Sequence, residues 1–310
     1  MGTEFVQLSL TPIVIGILAS VACALPGNFL LLRRQALIGD AISHVVLPGI
    51  VLAFLLTGTI SAWPMMLGAA CASVLAVLLI ELTRRVGKIE PGAAMGVIFT
   101  TMFAAGVLVL EQSDTSGVHI DVEHALHGNL ESLIWFSAEG WHSLLDLKAL
   151  SEMPPQLWRL AIVLILVSLF LFICWRPLTI STFDPSFAEA VGIRNGLVSF
   201  ALVVVVAIAA VSAFDAVGSI IVIAMFICPP AAARLMTNRL PRQIGWSIFF
   251  AVISAILGYL VAGYGPMLLG ADHAVSAAGM VATVSGLILG ITCLFGPQRK
   301  RIGEGKAIAQ

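Results

Sequence analysis

An all-α, polytopic transmembrane bundle of eight or nine spans is the fold this sequence predicts, and three observations carry the prediction. Of the 310 residues, 59% are hydrophobic and 11% charged. A soluble domain carries about a quarter charged residues, so this composition cannot be wetted on every side. The apolar residues fall in runs of about twenty, the length a helix needs to cross about 30 Å of hydrocarbon. No strand-like alternation runs through them, and a helix satisfies its own backbone hydrogen bonds in lipid.

The runs lie at roughly 11–32, 36–58, 64–82, 92–110, 157–175, 197–213, 217–236, 244–263 and 274–295. Basic residues sit at Arg33 and Arg34, at Arg84, Arg85 and Lys88, at Arg176 and Arg194, at Arg234, Arg239 and Arg242, and at Arg299, Lys300 and Arg301. If the spans alternate, every one of these clusters falls on one side, the cytoplasm by the positive-inside rule. The N-terminus is then outside and the C-terminus inside. Lys148 and Arg159 are the exceptions, with Arg159 close enough to a span end to snorkel. The runs 197–213 and 217–236 read either as two helices meeting at Asp215 or as one broken re-entrant element. Residues 1–298 form one transmembrane domain and 299–310 a polar cytoplasmic tail. The N-terminus lacks a basic segment, so no cleavable signal peptide is expected.

The second span carries the chemistry. It reads RRQALIGDAISHVVLPGIVLAF from Arg33 to Phe54. Asp40 and His44 are one helical turn apart and share a face. Ionisable groups in lipid are costly, so a pair of them marks a site. An oxygen and a nitrogen aimed the same way can share a divalent cation. The competing reading is a hydrogen-bonded pair that only fixes helix packing. Pro48 and Gly49 follow directly as a kink, either a packing device or part of a gate.

The longest polar stretch, roughly 111–155, falls outside. It holds His119, Asp121, His124, His127 and Glu131, which either decorate a wet loop or line a vestibule through which a cation arrives. On the inner side, TFDPSFAEAVGIRN spells a short helix with Asp184 as N-cap, Pro185 at the first position and Gly192 as its stop. It is a plain connector or a knob that docks into a cytoplasmic partner. The seventh span contains ICPPAAARL, where Pro229 and Pro230 remove amide donors and break the helix ladder, a kink that is either a packing device or part of a gate.

Several function classes are excluded by what the sequence lacks. There is no GxxxxGK[ST] phosphate loop, no HExxH and no GxSxG. The chain is therefore read as no enzyme, with no nucleotide site of its own. Its arginines are scattered over short loops, which leaves no nucleic-acid surface. The five cysteines form no CxxC pair, so neither a disulfide framework nor a thiolate metal site is implied.

LLRRQALIGDAISHVVLPGIVLAF resembles the signature of the membrane permease subunits of ATP-binding-cassette importers for zinc, manganese and iron. Arg33, Arg34, Gly39, Asp40, His44, Pro48 and Gly49 match that pattern in place. FDPSFAEAVGI resembles the family's cytoplasmic coupling segment at Asp184, Pro185, Ala188 and Gly192. AVGSIIVIAMFICPPAAARLMT resembles its late Pro-Ala-Ala helix. VHIDVEHALHGNLES resembles its outer segment, closer to manganese and iron members than to zinc ones. One departure is Glu90–Pro91 where many members open the fourth span with Asp.

The resemblance implies a multi-pass protein of the bacterial inner membrane that pairs with a second permease chain, identical or a sister. A separate cytoplasmic ATP-binding subunit would use the ATP, and an extracytoplasmic metal-binding protein would deliver the ion. It implies no permanently bound cofactor, only the transported divalent metal, with Asp40 and His44 as its ligands. The alternative is a secondary transporter driven by an ion gradient, with the same pair as a proton relay and no ATPase.

Overall fold

The computed structural model describes residues 5–36, 38–58, 62–112, 130–137, 140–268 and 275–298. Among them nine helices are long and apolar enough to cross a membrane. They are α1 (Val6–Leu32), α2 (Ile38–Thr57), α3 (Ala62–Gly87), α4 (Pro91–Gln112), α5 (Pro155–Ile173), α8 (Asn195–Val217), α9 (Ser219–Met236), α10 (Leu240–Leu268) and α11 (Ala277–Phe295). Between α5 and α8 lie two short helices, α6 (Trp175–Phe183) and α7 (Pro185–Ala190). The runs at 197–213 and 217–236 are thus two separate helices, α8 and α9, turning at Gly218 with φ +79°. A left-handed residue without a Cβ is what so abrupt a turn requires.

The helices are not equally enclosed. The apolar stretches of α1 and α2 are 61% and 62% buried, those of α3, α4, α5 and α11 between 17% and 22%. α1 is accordingly the centre of the molecule. It packs against α5, α8, α9 and α10, while α2, α3 and α4 form a second group joined to it through α8. Lipid is as apolar as leucine, so packing rather than water exclusion holds such helices together, and small residues set how closely they approach. At Gly49 of α2 an added Cβ would sit 2.5 Å from the Gly68 carbonyl oxygen and 2.8 Å from the Ala69 Cα of α3. On the neighbouring flank, a Cβ at Gly106 of α4 would meet Pro48 Cβ at 2.8 Å. Pro48–Gly49 is therefore the seat on which α3 and α4 close against α2.

Pro229 and Pro230 do not break their span. α9 runs as one helix from Ser219 to Met236, and both prolines are buried. Proline at position i gives no hydrogen to the carbonyl at i−4, so Met225 and Phe226 lose ladder partners. Neighbouring helices close over the place: a Cβ at Gly27 of α1 would come within 2.5 Å of the Phe226 oxygen and 3.1 Å of Pro230 Cγ. The small residue at Gly27 lets α1 pack closely over the two prolines.

On the outer side, Leu130 is buried in the main core and Trp135 is fully buried against Val6. Trp135 donates its backbone amide to Gln7 O at 3.1 Å and its indole nitrogen to Ala149 O at 3.0 Å. The first bond ties this segment to the start of α1 and the second to the short helix at Leu147–Ser151. Arg159 pairs with Asp215 at 3.0 Å, joining α5 to the end of α8. The guanidinium that the sequence placed near a span end is thus held by a carboxylate.

Candidate functional site

Asp40 lies in the first turn of α2 and His44 one turn deeper. Both therefore lie in the first two turns of α2, the end next to Arg33 and Arg34, which the Lys/Arg bias assigns to the cytoplasmic side. His44 Nε2 is 3.7 Å from Asp40 Oδ1, and the two side chains remain 38% and 34% exposed. That separation is too long for a hydrogen bond. A divalent metal making two bonds of about 2.1 Å would span it at an angle of about 120°. The donor set, one carboxylate oxygen and one imidazole nitrogen, suits first-row divalent ions. Among the described residues, no group of three or more His, Cys, Asp or Glu side chains could hold a metal by itself.

The imidazole is oriented by α4. Its ring stacks on Phe99 at 5.2 Å between centroids and 20° between planes, and meets Phe103 edge-on at 5.7 Å and 82°. Phe99 and Phe103 are one turn apart on α4, which Gly106 brings against Pro48. Pro48 has a further consequence for the site. It has no amide hydrogen for the His44 carbonyl four residues back, which leaves that oxygen outside the regular ladder beside the imidazole. Neither phenylalanine stood out in the sequence, since an aromatic in an apolar run reads as ordinary core. The signal that could have found them is their own i, i+4 spacing opposite the Asp40–His44 pair.

The cytoplasmic segment folds as its residues dictate. Asp184 Oδ1 accepts from the Phe187 amide at 2.9 Å, and α7 opens at Pro185. Gly192 has φ +86°, and Ile193 N donates to Ala188 O at 2.8 Å, closing the helix as a Schellman cap. Asn195 donates to Pro185 O at 2.6 Å and to Glu189 Oε1 at 3.2 Å, which fastens α7 to the start of α8. Ala188 is fully buried, so it seats α7 on its own protein and presents nothing outward. The outward residues are Phe183, Phe187 and Val191, each more than half exposed.

Arg33, at the end of α1, is partly buried and reaches Thr182, Ser199 and Ser181. Burial lowers its pKa from the ordinary guanidinium value. Arg34 is exposed and has φ +58°. A cavity of about 300 Å³ lies among Ile38 and Ile42 of α2, Val77 and Glu81 of α3, Glu189 of α7 and Asn195. Ala41 and Ile42 are rotated about 100° and 200° from Asp40, so this cavity is on another face of α2 from the Asp40–His44 pair.

The remaining residues singled out in the sequence divide in two. His119, Asp121, His124 and His127 lie outside the described residues. Glu131 is described, and its Oε1 accepts from Ala277 N, the first amide of α11, where Ser276 also caps Gly279 N. Its carboxylate is spent on a helix start, as expected where amides have no intrahelical partner.

Among the described residues, nine helices long and apolar enough to cross a membrane, an acid–imidazole pair near the start of one of them and a capped short helix with an apolar exposed face are the features of a membrane transport permease. The sequence matches the ABC 3 transport family over residues 5–134 and 148–293, and the chain belongs to that family. It is a multi-pass protein of the bacterial plasma membrane. Among curated relatives, it is 36% identical to the manganese transport system membrane protein MntD of Bacillus subtilis, over 91% of this chain and 90% of the other. It is 34% identical to the zinc transport system membrane protein TroD of Treponema pallidum, over 94% of this chain and 75% of the other. Among solved structures, PsaBC from Streptococcus pneumoniae, determined in complex with a Fab, superposes with a TM-score of 0.76 at 24% identity. That match covers 98% of this chain and 97% of the other and supports the fold.

Proposed function

We propose that the chain is the permease subunit of an ATP-binding-cassette importer that carries manganese or zinc into the cytoplasm. The observation that carries this reading is the Asp40–His44 pair. It is held 3.7 Å apart and partly exposed at the inner end of α2, in a chain whose relatives are named for manganese and zinc transport. Iron has no such support among those names.

Two protein ligands per chain bind a divalent ion weakly, which suits a site that must release as well as capture. A second permease chain, the same or a sister, would bring a second Asp–His pair and complete the coordination. The stacked Phe99 fixes the imidazole plane so that Nε2 is presented toward Asp40. An extracytoplasmic metal-binding protein would supply the ion. Asp184, Pro185, Ala188 and Gly192 shape the coupling helix, while Phe183, Phe187 and Val191 offer the apolar face on which an ATP-binding subunit would dock. Pro48 and Gly49 act as a packing seat beside the site. Pro229 and Pro230 are enclosed by α1, so a gating role for them would need α1 to move as well.

The test is Mn2+ uptake into proteoliposomes holding this chain alone or with its ATP-binding subunit and binding protein. The importer reading requires uptake only in the full assembly and only with ATP. Uptake by the chain alone under a proton gradient would establish the secondary-transporter reading instead.

A further inference from the structure

Arg33 occupies a position that the positive-inside rule does not explain. A charge that only marks the cytoplasmic side is exposed, as Arg34 is. Arg33 instead spends three of its nitrogens on three hydroxyls. Nε donates to Thr182 Oγ1 at 2.9 Å, Nη1 to Ser199 Oγ at 2.8 Å and Nη2 to Ser181 Oγ at 2.7 Å. Thr182 and Ser181 are in the last turn of α6, immediately before the Asp184 cap, and Ser199 is near the start of α8. One guanidinium therefore grips both ends of the stretch that carries α7.

The other side of the link is equally definite. Arg33 is the C-cap of α1. The turn that follows is tight: Arg34 N donates to Leu31 O at 3.1 Å, Gln35 N to Leu30 O at 2.8 Å and Ile38 N to Gln35 O at 3.0 Å. Backbone bonded in this way passes a displacement on instead of absorbing it. The turn opens α2, and Asp40 is in its first turn. Phe29 also meets Trp175 edge-on at 6.2 Å, so α1 and α6 touch beside the guanidinium.

We propose that Arg33 is the positioning residue that joins the coupling segment to the α1–α2 turn, so that a displacement of α7 is delivered to Asp40 and His44. This rests on the importer reading and deepens it. The chemistry suits a link that moves. The planar fork fixes three acceptors in one geometry. Each acceptor is a neutral hydroxyl, so no single bond is as strong as one to a carboxylate. Thr182 and Ser181 donate their own hydrogens back to Leu178 O, which leaves their lone pairs for the guanidinium. The cavity between α2 and Glu189 gives the segment room to shift. Lysine, with one ammonium, keeps the charge and loses the fork.

The experiment compares the assembled complex in proteoliposomes as wild type, Arg33→Lys, Ser199→Ala and the double variant. Four quantities are measured in each: thermal stability of the complex, ATP-binding subunit retained on purification, ATP hydrolysed and Mn2+ delivered. Mn2+ delivered per ATP is expected to fall about tenfold in each single variant, the effect of losing a hydrogen bond from a charged donor to a neutral hydroxyl. The double variant should lose no more than Arg33→Lys alone, because the link is already cut. A wild-type ratio in both single variants, or losses that multiply in the double, overturns the role of Arg33. Lowered thermal stability with an unchanged ratio overturns it too and leaves Arg33 merely structural. Absence of ATP-driven uptake in the wild-type complex overturns the importer reading first, and the two failures are thereby distinguished.

Discussion

Replacing Phe99 with leucine removes the aromatic face on which His44 lies and keeps a side chain of similar bulk against α2. The rings are 5.2 Å apart and 20° from parallel, with Phe103 closing the edge at 5.7 Å. Such an aromatic contact contributes about 0.5–1.5 kcal/mol beyond packing. Its loss frees the imidazole to rotate away from Asp40, and a metal must then restore that order on binding. At about 1.4 kcal/mol per tenfold, the apparent KM for Mn2+ uptake rises about two- to tenfold. The assay is initial-rate Mn2+ uptake by the assembled complex, with ATP hydrolysis and subunit retention followed in parallel. The maximal rate should hold to within about twofold, because the ring orients a ligand without contributing one. Phe103→Leu should act in the same direction and more weakly, since it touches the ring edge alone. An unchanged KM in both variants would refute the claim that α4 orders the imidazole. A fall in maximal rate at constant KM would place these rings in the conformational change instead.

Other predictions follow from the same geometry. Phe187→Ala removes an outward ring from α7 and should weaken retention of the ATP-binding subunit about tenfold, read by titrated co-purification, with the permease fold intact. Ala188→Leu overfills a buried position and should lower the stability of the isolated permease by about 1–3 kcal/mol, measured by thermal unfolding in detergent. Gly49→Leu forces α2 and α3 apart where backbone now meets backbone and should abolish accumulation of folded protein, seen by size-exclusion chromatography. Glu131→Ala strips the first amide of α11 of its acceptor and should destabilise that helix start by about 1 kcal/mol, read as faster hydrogen exchange at Ala277 with Mn2+ uptake retained.

The spans were legible because hydropathy is a local property of the chain. Each of the nine apolar runs became a helix, and the runs on either side of Asp215 and Gly218 are two helices, as the charge bias required. The short helix at Pro185–Ala190 was legible for the same reason: Asp184, Pro185 and Gly192 act within a few residues of themselves. Asp40 and His44 showed as a pair since a helical turn alone brings them together. What stayed hidden depends on distant partners. Arg33 finds its hydroxyls 148 to 166 residues away, and His44 finds its aromatic support on another helix. Glu131 reads as one more loop carboxylate until α11 arrives beside it. Pro229 and Pro230 read as a gap in the ladder because proline chemistry is local, whereas the packing from α1 that encloses them is not. Ala188 matched a coupling pattern, and its burial shows that it supports the surface which neighbouring Phe187 presents.

The most direct measurement of the central claim is ATP-driven Mn2+ uptake by complexes carrying Asp40→Ala or His44→Ala, with subunit retention and ATP hydrolysis recorded alongside. Loss of one of two ligands per chain should cut uptake at least about tenfold in each variant while the complex still assembles. Uptake at the wild-type rate in both would show that the ion passes elsewhere.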